Sequence, residues 1–96
     1  MPPFRFGVQL EKAETGASWR ATARAIEDLG YSTLFIPDHF DEQYGPLVAL
    51  TVAAEATTTL RVGSLVFGND YRHPVVLAKE VATLDLVSEG LSLIHI

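Results

Sequence analysis

The chain has no cysteine among its 96 residues, which excludes disulfides, thiolate metal sites and a cysteine nucleophile. Positive charge is also scarce. Seven Lys+Arg against twelve Asp+Glu give a net charge of −5, and the basic residues are scattered along the chain. That distribution argues against nucleic acid or an anionic membrane as the main partner. No apolar run reaches the length of a signal peptide core or a membrane span, so a cytoplasmic, soluble protein is the expectation. Neither a Walker loop nor a Gly-x-Gly-x-x-Gly fingerprint occurs, and no linker, low-complexity tract or sequence repeat is visible. Hydrophobic residues make up 48% of the chain, enough for one domain with a core of its own.

The pattern reads as strand followed by helix, three times over. Phe4 to Leu10 is a candidate first strand, with Gly7 allowing close backbone approach. Ser18 is a good N-cap for a helix from Trp19 to Leu29, in which Trp19, Ala23, Ile26 and Leu29 share one face and Gly30 supplies the stop. Trp19 is assigned to packing against the sheet. Ser32 to Pro37 is the second strand, and its run of apolar and β-prone residues fits a strand covered on both faces. Pro46 opens the next helix, with Leu47, Leu50 and Ala54 inward and the Thr57-Thr58-Thr59 run at its end. Arg61 to Phe67 is the third strand, and Pro74 to Val87 the third helix, with Leu77, Val81 and Leu84 as its inward stripe and Gly90 beyond it. Alternation of this kind predicts right-handed βαβ units and a parallel sheet. Three strands make a narrow sheet with exposed edges, and a closed (β/α)8 barrel takes roughly 250 residues. The fold class is therefore α/β, either a small open sheet or, as the preferred reading, the beginning of something larger.

In parallel sheets the carboxyl ends of the strands collect ligands and catalytic groups. Two loops belong at that end: Asp38 to Gly45 and Gly68 to His73. Histidine is the side chain whose ordinary titration lies nearest neutrality, so His39 is the candidate for proton transfer, with Asp38 orienting it or meeting a ligand. The competing structural reading has Asp38 closing the turn after the strand and His39 buried beside it. His73 precedes a helix-opening proline, where its side chain can satisfy free helix N–H groups. Arg72 is expected to pair with Asp70 in preference to an anionic ligand. A metal site from Asp38, His39 and His73 lacks any tight ligand spacing and is not expected.

Three segments carry a resemblance. They are Phe6-Gly7-Val8-Gln9, the stretch from Glu27 to Phe40 (Glu-Asp-Leu-Gly-Tyr-Ser-Thr-Leu-Phe-Ile-Pro-Asp-His-Phe), and Thr58 to Ser64 (Thr-Thr-Leu-Arg-Val-Gly-Ser). Arg72-His73-Pro74 with Val75 to Lys79, Leu84-Asp85 and Ser88-Glu89-Gly90 extend it. Together, over residues 4–90, they resemble the bacterial luciferase-like superfamily, and within it the coenzyme F420-dependent oxidoreductases. The resemblance implies a TIM (β/α)8 barrel, truncated here to its first three βα units, that binds a flavin or deazaflavin at its carboxyl face and exchanges hydride with a small organic substrate. It implies that His39 lies beside substrate and reacting ring, acting in proton transfer or polarisation, and that Asp38 contacts the cofactor. It also implies a non-proline cis peptide in a bulge near Ser64 and Leu65, with Val66 and Phe67 adjoining, that backs the ring. A homodimer is the oligomeric expectation for the parent protein. F420 is the expected cofactor, with FMN in a luciferase-like monooxygenase as the alternative. A non-catalytic α/β module that binds a ligand or partner through the same mouth is the reading from a different class.

The sequence departs from that pattern at Leu91 to Ile96, Leu-Ser-Leu-Ile-His-Ile. Where the family continues with an arginine, a fourth strand and a glycine-rich turn, this hexapeptide resembles translated adapter sequence. Residues 91–96 are accordingly expected to be a non-native tail, with a short natural strand as the alternative, and His95 is given no functional role. On this reading the 96 residues alone are inactive.

Overall fold

Helix α1 (Gly16–Asp28) starts where two side chains satisfy each other's backbone. Thr15 Oγ1 accepts from the Ser18 N–H at 3.0 Å, and Ser18 Oγ accepts from the Thr15 N–H at 3.0 Å. This capping box makes Thr15 the N-cap and puts Ser18 inside the first turn. Ser18 was expected to be the cap, but a lone cap satisfies one free amide and the reciprocal pair satisfies two. Trp19, Ala23 and Ile26 are buried as predicted, whereas Leu29 is the C-cap and is 76% exposed. The helix stops one residue short of it, and Gly30 at φ +92° turns the chain away. Helices α2 (Pro46–Ala56) and α3 (Pro74–Val87) open at the predicted prolines. Thr57 ends α2, its hydroxyl donating back to the Ala53 carbonyl at 2.9 Å. Leu77, Val81 and Leu84 form the buried stripe of α3.

The computed structural model describes residues 4–93. Within them β1 (Gly7–Gln9), β2 (Thr33–Ile36), β3 (Arg61–Ser64) and β4 (Ser92–Leu93) form one parallel sheet in chain order. Gln9, Phe35, Gly63 and Leu93 lie side by side across it. The strands are shorter than the sequence runs. Pro37 has no N–H to extend β2, and β3 ends at Ser64, just ahead of a cis peptide between Leu65 and Val66. Ser92 and Leu93 form β4, and the Leu91 carbonyl just before it accepts the Val62 N–H at 2.8 Å. Ile94, His95 and Ile96 lie outside the described residues.

All three helices pack on one face of the sheet. Leu34, Ile36 and Val62 point into that layer and meet Trp19, Leu50 and Leu84 from the three helices. Each such aliphatic side chain, fully buried, stabilises the fold by roughly 1.5–3 kcal/mol. Trp19 lies in the same buried cluster as the sheet residues Leu34, Ile36 and Val62 and also ties α1 to α2. Its indole N–H donates to the Ala49 carbonyl in α2 at 2.9 Å, and Tyr44 meets its ring edge-on at 5.5 Å. At the amino-terminal end of the sheet Glu27 joins α1 to the loop before β3. One of its oxygens, Oε2, accepts the N–H groups of Thr58, Thr59 and Leu60 at 2.9, 2.6 and 2.9 Å.

Candidate active site

Parallel pairing of Ile36 with Ser64 sets the ends of β2 and β3 side by side. The chain leaving β2 passes Pro37 to Asp38, and the chain leaving β3 runs through Leu65 to Gly68. Asp38 ties the two exits together. Its carboxylate accepts the Gly68 N–H at 2.7 Å and both ends of the Arg72 guanidinium, at 2.6 and 3.1 Å. The Arg72 head also lies 5.5 Å from the centre of the Phe67 ring. The expected partner of Arg72 was Asp70. That pairing loses because the Asp38 side chain is only 3% exposed and needs a counter-charge, whereas Asp70 sits in an exposed turn where water serves. Burial alone would raise the Asp38 carboxyl. The Arg72 hydrogen bond, the Gly68 N–H and the charges of Arg72 and His39 outweigh it and hold the group below its ordinary range. The same hydrogen bond pushes Arg72 further up.

His39 follows at the rim and is exposed. Both oxygens of Asp38 are taken by Arg72, so Asp38 does not orient the imidazole, and no described residue hydrogen-bonds it. This corrects both the burial of His39 and its alignment by Asp38 as sequence alternatives. Beside it Phe40 from the first loop meets Tyr71 from the second, edge to face at 4.7 Å. A Cβ at Gly68 would come within 2.2 Å of the Tyr71 ring, so a side chain there would displace Tyr71 from this position. His73 caps α3 as expected, its Nδ1 accepting the Val75 N–H at 3.1 Å. Asp38 and His73 are each engaged elsewhere, by Arg72 and by the Val75 N–H, and no group of three His, Asp or Glu among the described residues is placed to hold a metal ion. Gln43 steadies the first loop by donating from Nε2 to the carbonyls of Pro37 and Tyr44. Its Oε1 is buried without a partner among the described residues.

The segment Ser64 to Phe67 divides into anchors and surface. Ser64 is fully buried, its hydroxyl donating to the Ile36 carbonyl at 2.7 Å. Phe67 is 2% exposed and packs on Leu77 and Val81 of α3. Between these anchors Leu65 and Val66 are 43% and 47% exposed. They make an apolar shelf at the end of β3, beside the exit of β2 that carries His39. Two adjacent half-exposed aliphatic side chains give an apolar surface of the kind that the flat face of a ring system can lie on. The sequence pointed to these residues individually. It missed the Asp38–Arg72 pair, the Phe40–Tyr71 contact and the Glu27 clamp. The first was findable from opposite charges on two loops assigned to one mouth.

Parallel strands with helices on one face, and a polar–apolar mouth at their carboxyl ends, define an α/β protein of TIM-barrel type. Residues 1–95 match the luciferase-like monooxygenase family, and the chain belongs to that family. It is 30% identical over 94 residues to 5,10-methylenetetrahydromethanopterin reductase of Methanopyrus kandleri, covering 98% of this chain and 27% of that protein. It is 30% identical over 78 residues to 4-hydroxyprotoasukamycin monooxygenase of Streptomyces nodosus subsp. asukaensis, covering 75% and 21%. Among solved structures, the coenzyme F420-dependent tetrahydromethanopterin reductase of Methanopyrus kandleri matches with a TM-score of 0.84 and 30% identity, over 94% of this chain and 26% of that one. The FMN-bound oxygenating constituent of 3,6-diketocamphane monooxygenase, from a plasmid of Pseudomonas putida, shares the fold at a TM-score of 0.82 and 16% identity, over 96% and 29%. The chain therefore spans about a quarter of the length of these relatives. No helix among the described residues is long and apolar enough to cross a membrane.

Proposed function

We propose that this chain provides the first βα units of an oxidoreductase that transfers a hydride between coenzyme F420 and a small organic substrate. The observation that carries the reading is the joining of His39 and the Leu65–Phe67 shelf at one strand end, through Asp38 and its bonds to Gly68 and Arg72. The 30% identity to an F420-using reductase over nearly the whole chain supports the choice of cofactor. F420, when bound, supplies two-electron hydride chemistry that no side chain here possesses. Leu65 and Val66 present the apolar surface for its ring, Ser64 and Phe67 hold that surface in place, and Asp38 fixes it to the neighbouring strand. His39, exposed and free of other bonds, gives a proton to or takes one from the substrate atom that the hydride transfer leaves charged or protonated. Parts contributed by the rest of a barrel complete the binding of cofactor and substrate, so the 96 residues alone are inactive.

The identity to a monooxygenase favours a second reading, a monooxygenase with the same shelf and the same histidine, for which FMN, bound in a solved structure of the same fold, is the cofactor to test. Purifying the whole protein and recording the absorbance of bound F420 or bound FMN after reconstitution decides between the two. Binding of F420 with substrate-dependent bleaching is expected. Tight FMN binding with oxygen consumption would transfer the assignment to the monooxygenase, and binding of neither would remove both.

A further inference from the structure

We propose that Arg72 is a positioning residue of the reaction, setting the placement of His39 against the Leu65–Val66 shelf. The inference rests on the oxidoreductase reading and adds a residue to it. Arg72 lies 34 residues from Asp38 in sequence and six beyond Val66. Among the described residues its hydrogen bonds go to Asp38 and not to the imidazole. Its guanidinium spans both oxygens of Asp38, the residue immediately before His39, and stacks near Phe67, the residue immediately after Val66. The same carboxylate holds Gly68 N–H, so the exits of β2 and β3 meet at one charge-assisted junction. A fork with two donors in a plane fixes the orientation of a carboxylate as well as its distance, which a single ammonium cannot do. The arginine is four-fifths buried and the carboxylate nearly completely so, and a junction kept that dry is little loosened by salt. His39 itself carries no hydrogen bond to a described residue, so the placement of its backbone through Asp38 is what aims it.

The test compares Arg72→Gln, Arg72→Lys and, as a control at the opposite end of the sheet, Glu27→Gln, in the whole protein. The readouts are kcat at saturating F420 and substrate, F420 affinity by fluorescence, the melting temperature, and the amide resonance of Gly68 with the ring resonances of His39. Displacement of a reacting group by about 1 Å costs on the order of 100-fold in rate. Arg72→Gln is expected to lower kcat by about that factor, with F420 affinity changed less than about threefold, and to shift the Gly68 and His39 signals. Arg72→Lys is expected to regain most of the melting temperature without regaining kcat. Glu27→Gln is expected to lower the melting temperature while leaving kcat and both signals as they are. Unchanged kcat in Arg72→Gln overturns the proposal, as does full recovery of kcat in Arg72→Lys or an equal loss in Glu27→Gln. If the wild type binds neither F420 nor FMN, the oxidoreductase reading fails separately. The Gly68 and His39 resonances then decide the junction alone: it is overturned if both are the same in Arg72→Gln as in wild type.

Discussion

Two adjacent residues at the end of β2 serve different purposes, and substitutions separate them. His39→Ala removes the group proposed above for proton transfer, an exposed ring with no hydrogen bond to a described residue. In the whole protein turnover is expected to fall about 100-fold or more, in the range for loss of a general acid or base. F420 affinity and melting temperature stay near wild type, and steady-state kinetics beside fluorescence titration checks the split. Asp38→Asn breaks the junction that Arg72 holds, so it is expected to lower turnover as Arg72→Gln does. Unlike His39→Ala it is also expected to cost stability, because it leaves the largely buried Arg72 charge without its counter-charge. A loss of about 3 kcal/mol is expected from urea denaturation at pH 7. The Asp38 carboxyl is depressed in the folded state relative to its ordinary value of 3.8. The unfolded chain therefore takes up the proton first as pH falls. The stabilisation is complete above about pH 3.8 and is lost as pH drops through the lower folded value. Denaturation midpoints of wild type and Asp38→Asn should converge on acidification across that window.

Among the elements, those written in local chemistry were legible and those set by distant partners were not. Pro46 and Pro74 marked helix starts, and the stripes Trp19–Ala23–Ile26 and Leu77–Val81–Leu84 fell on the buried faces, because helical spacing alone determines them. The start of α1 was misplaced since Thr15 and Ser18 act as a pair, and a search for one cap finds the wrong member. Strand ends ran too long because apolar sequence continues past the last paired residue: Leu65 to Phe67 is as hydrophobic as a strand but forms the shelf. His73 as a cap was readable from the following proline, whereas Arg72 was assigned to its sequence neighbour Asp70 when burial gave it to Asp38. Glu27 escaped notice for the same reason, as its three N–H donors lie 31 to 33 residues away. Burial works against ionisation of Glu27, but these donors prevail and lower its titration below the ordinary range. Glu27→Ala should release the loop before β3 and cost about 1 kcal/mol, since water replaces part of what is lost at an exposed site. The urea midpoint should drop with an unchanged slope, which marks a change of stability without a change of compactness.

For the molecule as a whole, the helices settle one face of the sheet and leave the other to something else. The Cα radius of gyration, 12.9 Å, is that of a folded domain of this size, about 13 Å for 100 residues, so the βα units pack as one body. Yet parallel sheets are stable when both faces are covered. Here Leu34, Ile36 and Val62 face the helices, and the alternate positions Gly7, Gln9, Thr33, Phe35, Arg61 and Gly63 face away from them. Among these, Gln9 and Arg61 are exposed, and no described helix lies over that side. The relatives that match about a quarter of their length to this chain are of a size to close a sheet of this kind on itself. The 96 residues prepared alone are therefore expected to associate through the uncovered face and the β1 edge. Light scattering on a sizing column should give a mass above the 10.5 kDa of one chain, rising with concentration. Gln9→Lys, which sets a charge on that edge, should shift the population toward the monomer. A wild-type monomer at all concentrations that melts cooperatively would show instead that one covered face is enough, and that the far side of the sheet needs no partner to hold the Asp38–Arg72 junction in place.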